Sequence, residues 1–423
     1  MDRRALIVTY YFPPLGGGGV QRMAKLVKYG TQQGWHFTVV TADERSSIIP
    51  RDASLLDEIP PSAKIIRVPL RLLPAGGKEN LHFTRHSNYL KRWLSAFFFL
   101  PDSRRKWVKK AWPVLQNELK KERYDLVLIS LPPYSLSFLA QTIQSRFGVP
   151  VLLDLRDPWT LNPYKIHPTP LHRFIDWKLE KAAIGSVRFG VSAYERVLKH
   201  YEAVLPAFER GVWQVIPNGF DEDDFVGLKA PSRGHDSFVV AFSGTIYSHV
   251  NHPAPLFGAM ALLKRQAPGL GQKLRFAFVG KAHINVQQVA RKYGVQKQII
   301  EYGYRPHRES LQILQQAQAL MFVLDDREPR SAFTVGGKVY EYLRLKKPIL
   351  ALVPPSGEAA DLIRRTDSGK VVAPTRIEEI AATLQKWMIT PPKFTFHGIE
   401  QYERRRQSAQ FVAFFEEILR HKH

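Results

Sequence analysis

The chain has no cysteine in its 423 residues. That excludes disulfides, thiolate metal sites and a cysteine nucleophile, and it fits a reducing compartment. Long apolar runs are missing too. The opening Met1-Asp2-Arg3-Arg4-Ala5-Leu6-Ile7-Val8-Thr9 holds only a short apolar stretch before Tyr10-Tyr11-Phe12-Pro13-Pro14. It reads as a first core strand, because a secretion signal needs a longer apolar region. No run approaches the roughly 20 residues of a membrane-crossing helix, so the expected location is cytoplasmic. Acidic residues are scarce: 38 Asp and Glu stand against 61 Lys and Arg, a formal net charge of +23. Such an excess attracts nucleic acid, an anionic membrane surface or phosphorylated small molecules, unless it only solvates the surface.

Hydrophobic residues make up 44%, enough for full cores, and the length accommodates two ordinary domains. The first half opens with a strand (Ala5 to Tyr10), four glycines (Gly16 to Gly19), a helix (Val20 to Gly30) and a second strand (Phe37 to Thr41). That order predicts a right-handed βαβ unit over a parallel sheet. The glycines let a ligand approach backbone, yet they match neither common phosphate loop: no Gly-Lys-Ser/Thr closes them, and the third glycine of G-x-G-x-x-G is absent. Apolar strands recur at Ile65–Val68, Leu126–Ser130, Val151–Leu155 and Val187–Ser192. Asp154-Leu155-Arg156-Asp157 brings polar residues to a strand's carboxyl end, the edge where open α/β sheets bind ligands. An ion pair between Arg156 and one of the aspartates is the structural alternative.

A second αβ series runs from Phe238 to Val353. Two doubly wound α/β halves with a cleft between them are therefore expected. The boundaries are read as 1–212, 213–392 and a C-terminal helical tail, 393–423, that packs back on the first half. Residues 71–123 stand apart: 13 Lys and Arg against 4 Asp and Glu, interleaved with Trp93, Phe97, Phe98, Phe99, Trp107 and Trp112. The stretch 102–112 fits a basic helix lying on an anionic membrane. Single-stranded nucleic acid suits the same composition, as does a core-packed helix pair whose Lys and Arg face water.

The central stretch is Gly336-Gly337-Lys338-Val339-Tyr340-Glu341-Tyr342-Leu343. Glycines where an extended run becomes a helix bring backbone N–H groups close to a ligand, and a helix start favours an anion. Lys338 and Glu341 are three apart and share a helix face. A cation beside phosphate and a carboxylate for two ribose hydroxyls suit a nucleotide. An amphipathic helix with a surface Lys–Glu pair has the same spacing.

Taken together and in order, several short motifs resemble the family 4-like (group 1) GT-B glycosyltransferases. They are Tyr11-Phe12-Pro13-Pro14 with Gly16 to Gly19 and Arg22, Ser130-Leu131-Pro132-Pro133, Asp154 to Trp159, Ile216 to Asp221, Phe242-Ser243-Gly244, Val279-Gly280, and Lys338 to Leu343 with Lys347-Pro348. The resemblance implies a GT-B fold of two Rossmann-like domains, the later one holding a nucleoside diphosphate sugar and the earlier one an acceptor. It implies a retaining reaction without metal or cofactor, so Asp325-Asp326 is not a metal motif. Glu341 matches the family's ribose-binding glutamate. The family's first glutamate is replaced by Phe333, its Arg/Lys pair by the segment Thr245 to His249, and its acceptor-side His by Arg156-Asp157. The expected donor residues are Gly17, Gly18, Gly244, Lys281, Arg305, Gly337, Lys338 and Glu341, with Asp157 and Arg156 at the chemistry. The expected partners are the donor, a glycan or lipid-linked acceptor and an anionic membrane, with nucleic acid unlikely. A nucleotide-sugar epimerase and a non-enzymatic binder of anionic polymer are the alternatives.

Overall fold

A computed structural model describes residues 3–16, 18–46, 51–70, 93–206, 208, 212–230 and 237–420. The chain divides into two compact units, Met1–Gly219 with Arg404–His423, and Phe220–Glu403. The sequence reading drew these divisions at 212/213 and 392/393. Strand Trp213–Val215 pairs with Phe189–Ser192 in the first unit's sheet. In the second unit, Phe220 bridges Glu403 and donates its N–H to the Tyr402 carbonyl at 3.1 Å.

The first unit has seven parallel strands: β1 (Arg3–Val8), β2 (Trp35–Ala42), β3 (Lys64–Val68), β4 (Leu126–Leu131), β5 (Val151–Leu155), β6 (Phe189–Ser192) and β7 (Trp213–Val215). Their order is β3-β2-β1-β4-β5-β6-β7. This is doubly wound, with its switch point between β1 and β4, where strand order reverses. Central strands carry apolar side chains on both faces because helices cover both. Every residue of Leu126–Leu131 is buried. The C-terminal helix Arg404–Arg420 lies against helix Gly18–Thr31, placing Phe411, Phe414 and Phe415 in the core with Trp35 and Phe37.

In the second unit the parallel strands are β8 (Phe238–Ile246), β9 (Leu274–Ala282), β10 (Ile299–Gly303), β11 (Ala319–Val323), β12 (Ile349–Leu352) and β13 (Gly369–Val372). The order β10-β9-β8-β11-β12-β13 repeats the doubly wound pattern, with its switch point between β8 and β11. Helix Lys338–Leu345 follows β11 and so begins beside that switch point.

Two expectations change. Gly18 and Gly19 are the first residues of helix Gly18–Thr31 instead of a free loop, while Gly17 lies outside the described residues. The basic segment folds as helix Arg105–Lys121, and Trp107 is fully buried, donating its Nε1–H to the Val68 carbonyl at 3.1 Å and meeting Tyr10 edge-on. Trp107 therefore cannot face a membrane from this position. Lys106, Lys109 and Lys110 face water, as in the core-packed reading. Residues 71–92 lie outside the described residues.

Candidate functional site

In the second unit, Gly244 on β8 and Gly280 on β9 are register partners, both at φ +139°. A side chain at Gly280 would put Cβ 1.9 Å from the Gly244 carbonyl oxygen, so only glycine fits. Helix Lys338–Leu345 is tied to this edge: the Ser243 N–H donates to the Tyr342 hydroxyl at 2.8 Å. Gly336 sits against Phe322, where an added Cβ would lie 3.1 Å from the ring. Gly337 caps the helix with no side-chain bond and faces open space. Its glycine is thus not demanded by packing, and the positive end of the helix is left uncovered there.

Glu341 is buried on this helix, with 5% of its surface exposed. Lys338 Nζ donates to both carboxylate oxygens at 3.0 and 3.1 Å, and His307 Nε2 lies 3.0 Å from Oε1. On its other side, His307 Nδ1 is 3.8 Å from Asp224 Oδ2. Burial pushes the Glu341 carboxyl upward, but Lys338 and His307 outweigh it and hold the group at about 2. The acid is charged and turned inward, and Lys338 neutralises it instead of standing free. Lys281 and Arg305 are exposed cations on neighbouring segments, with Lys281 Nζ 5.7 Å from the Tyr304 ring centre. Phe333 closes the short helical turn Pro329–Phe333. Asp325 is taken by Arg327 at 2.8 Å, and Asp326 accepts from Thr375 at 2.9 Å. Both aspartates line a cavity of about 390 Å³ with His252 and Ser248, which contains none of the expected donor residues.

In the first unit, the polar residues after β5 separate into two jobs. Arg156 is buried and spends its guanidinium on backbone: Nε donates to Leu131 O at 3.2 Å, Nη2 to Pro132 O at 2.6 Å, and Nη1 to Gly19 O. It clamps the loop after β4 to the start of helix Gly18–Thr31, the two edges of the switch point. This makes it a positioning residue where a catalytic one was expected. An added Cβ at Gly19 would lie 2.7 Å from Arg156 Nη1. The ion pair anticipated for Arg156 belongs to Arg22, whose Nη2 lies 2.8 Å from Asp154 Oδ1 with both side chains essentially inaccessible. Arg22 also donates to the Ile216 and Pro217 carbonyls, and Ser130 donates to Asp154. The Asp157 carboxylate is engaged by no hydrogen bond or ion pair among the described residues. Withdrawal from water raises its proton affinity, with Arg156 opposing.

The sequence profile described as glycosyl transferases group 1 matches residues 228–410. That stretch is similar to the group 1 glycosyl transferases, and the chain has the GT-B fold. Solved structures resemble it over nearly its full length. Sucrose-phosphate synthase from Thermosynechococcus elongatus superposes with a TM-score of 0.65 at 15% identity, covering 98% of this chain and 97% of that one. HepE of Anabaena, in complex with UDP and glucose, gives 0.62 at 13%, covering 99% of each. WaaG, a glycosyltransferase involved in lipopolysaccharide biosynthesis, gives 0.58 at 15%, covering 98% of each. No curated protein matches the sequence. The match over 228–410 supports an enzyme over the alternative of a binder without enzymatic activity.

Sequence reasoning missed His307 and Asp224. Neither shares a motif spacing with Glu341, and only the fold joins them to it. It also missed a buried cluster after β5. There Asp176 accepts from Trp159 Nε1 at 2.9 Å, meets His167 Nε2 at 2.8 Å and pairs with Lys165 at 2.5 Å. Lys165 sits over the Tyr134 ring at 4.7 Å, and Tyr134 stacks on Trp159. No helix of the described residues is long and apolar enough to cross a membrane.

Proposed function

We propose that the enzyme is a retaining, metal-independent glycosyltransferase that moves a sugar from a nucleoside diphosphate sugar to a surface glycan or lipid-linked acceptor, working as a peripheral protein on the inner face of a membrane. The observation that carries the donor reading is the Gly337-Lys338–Glu341 arrangement, an uncapped helix start with a buried, ionised acid one turn on. In this reading the Glu341 carboxylate accepts hydrogen bonds from the two ribose hydroxyls. The Gly337 end of the helix and Lys338 receive the diphosphate, and Gly244, Lys281 and Arg305 lie on the same unit's donor side. The likeness to HepE of Anabaena, solved in complex with UDP, with UDP and glucose, and with UDP-glucose, supports such a donor. The likeness to WaaG, a glycosyltransferase involved in lipopolysaccharide biosynthesis, supports a surface-glycan acceptor.

In the reaction, the acceptor oxygen forms a bond to the sugar's anomeric carbon as the bond to the diphosphate oxygen breaks. The nucleoside diphosphate departs with the electron pair and takes up the acceptor's proton on the same face. Asp157, with its unspent carboxylate, orients the acceptor hydroxyl. The protein's share is positioning and stabilisation of diphosphate charge.

The test is a thermal-shift screen against UDP, GDP, ADP and their sugars, followed by product analysis with the stabilising donor. Stabilisation by one nucleotide series, with release of free diphosphate and sugar transfer, is expected. An epimerised donor with no transferred sugar would instead make the enzyme an epimerase, and stabilisation by none would remove the donor site.

A further inference from the structure

Helix Pro170–Gly185 is built the wrong way round for a surface helix. Such a helix ordinarily buries its apolar stripe and shows its charges to water. Here the acids face inward: Asp176 is fully buried on Trp159, His167 and Lys165, and Glu180 is buried on Thr160 and the Tyr201 hydroxyl. The outward face carries Leu171 at 62% exposure, Phe174 at 53% and Ile175 at 40%. Positions i, i+3 and i+4 share one helix face. Lys178 continues that face, its Nζ over the Phe174 and Trp177 rings at 5.4 Å.

A second segment, distant in sequence, is fastened beside it. His172 Nε2 meets the Phe97 carbonyl at 3.1 Å, and its ring lies 4.7 Å from the Phe97 ring. Phe97 stacks on Trp93 and meets Phe98 edge-on, and Phe98 is 70% exposed. Leu94 is exposed on the same turn. The apolar surface is thus continuous across two elements.

Its charge has one sign. Arg173, Lys178 and Lys181 are exposed on the helix, and Lys106 lies over the Phe99 ring. The only acids in 93–110 and 170–185 are Asp102, Asp176 and Glu180. The latter two are buried, and Asp102 accepts from Ser135 and from the Arg104 N–H. Exposed aromatic and aliphatic side chains with a rim of lysine and arginine, and no free carboxylate, match the interface of an anionic bilayer. A second copy of the chain would bring the same cations face to face. Nucleic acid would gain little from Leu171 and Ile175, which offer bases nothing to stack on.

We infer that the outward face of helix Pro170–Gly185, together with segment Trp93–Phe98, is the surface by which the enzyme docks on an anionic lipid bilayer. The inference rests on the reading of a peripheral enzyme, and it moves the docking surface off the basic helix around Lys109. The acyl-chain boundary receives Phe98, Leu171 and Phe174, and the headgroups receive Arg173, Lys178 and Lys181.

The test is co-sedimentation of the full-length protein with vesicles of phosphatidylcholine, alone or mixed with phosphatidylglycerol. Four proteins are compared: wild type, Leu171→Ser with Phe174→Ser, Lys178→Glu with Lys181→Glu, and Lys109→Glu as control. The substituted side chains are exposed, and unchanged thermal melting together with unchanged nucleotide binding verifies the fold. Wild type binds the mixed vesicles, and each double variant loses affinity by about tenfold or more, while Lys109→Glu loses far less. If the double variants sediment as wild type does, or if only Lys109→Glu fails, the enzyme is peripheral but this face is not the surface, and the inference falls alone. If wild type ignores both vesicle types, the peripheral reading falls with it. Self-association by light scattering that Leu171→Ser with Phe174→Ser abolishes would assign the face to a second copy instead.

Discussion

Replacing Glu341 with glutamine tests the donor site at its least replaceable point. Glutamine keeps the volume on a helix whose neighbours Val339, Tyr340, Tyr342 and Leu343 are all buried, so the loss is one of charge and not of packing. A hydrogen bond to a charged group contributes about 1.5–3 kcal/mol, and two ribose hydroxyls would seem to double that. The ligand-free protein, however, already gives this carboxylate three bonds, two from Lys338 and one from His307. Binding re-aims these partners before the ribose is gained. The net loss is then that of about one charged bond, roughly 10- to 100-fold in Kd. The assay is calorimetry with whichever of UDP, GDP or ADP binds best and with its 2′,3′-dideoxy form. Wild type loses a similar factor on the dideoxy ligand, and Glu341→Gln loses little more, because both changes remove the same contact. An unchanged Kd for the variant, or full affinity of wild type for the dideoxy ligand, would refute the assignment.

Other expectations follow from the same geometry. The Glu341 carboxyl lies at about 2 against an ordinary 4.5, so its stabilising term is present above pH 4.5 and is lost as pH falls from there toward 2. Between pH 7 and pH 3, wild type should lose about 2 kcal/mol more unfolding free energy than Glu341→Gln, measured by urea denaturation. Gly280→Ala forces Cβ onto the Gly244 oxygen at an unfavourable φ and should cost the second unit its fold or several degrees of Tm. Gly337→Ala enters open space at a helical φ and should keep Tm while weakening diphosphate binding, read by calorimetry. Asp154→Asn leaves Arg22 buried beside a neutral group and should destabilise by about 3–5 kcal/mol in denaturant unfolding.

What the sequence reveals is what local pattern encodes. Continuous apolar runs such as Leu126–Leu131 and Ile349–Leu352 announce buried parallel strands, and Gly244 on β8 falls beside the second unit's switch point. The helix carrying Lys338 and Glu341 follows from its spacing. Side-chain partnerships across long separations are not encoded that way. Asp154 has a cation two residues away in Arg156, yet it pairs with Arg22 from helix Gly18–Thr31 because parallel strands carry Arg156 toward the loops instead. His307 reaches Glu341 only through the packing of two helices against one sheet. The inverted helix is hidden from local pattern for a related reason: its acids are satisfied by groups from β5's loop, and nothing in the helix itself shows this. Trp107, for which an interfacial place was one of three readings, is held inward by a backbone carbonyl on β3.

The measurement that bears most directly on a diphosphate donor held by this unit is a crystal structure with the tightest-binding nucleoside diphosphate. The account predicts both ribose hydroxyls within hydrogen-bonding distance of the Glu341 carboxylate, the β-phosphate at the Gly337 end of the helix, and Lys338 turned from Glu341 toward phosphate. A nucleotide bound elsewhere, with the His307–Glu341–Lys338 contacts intact, would contradict it.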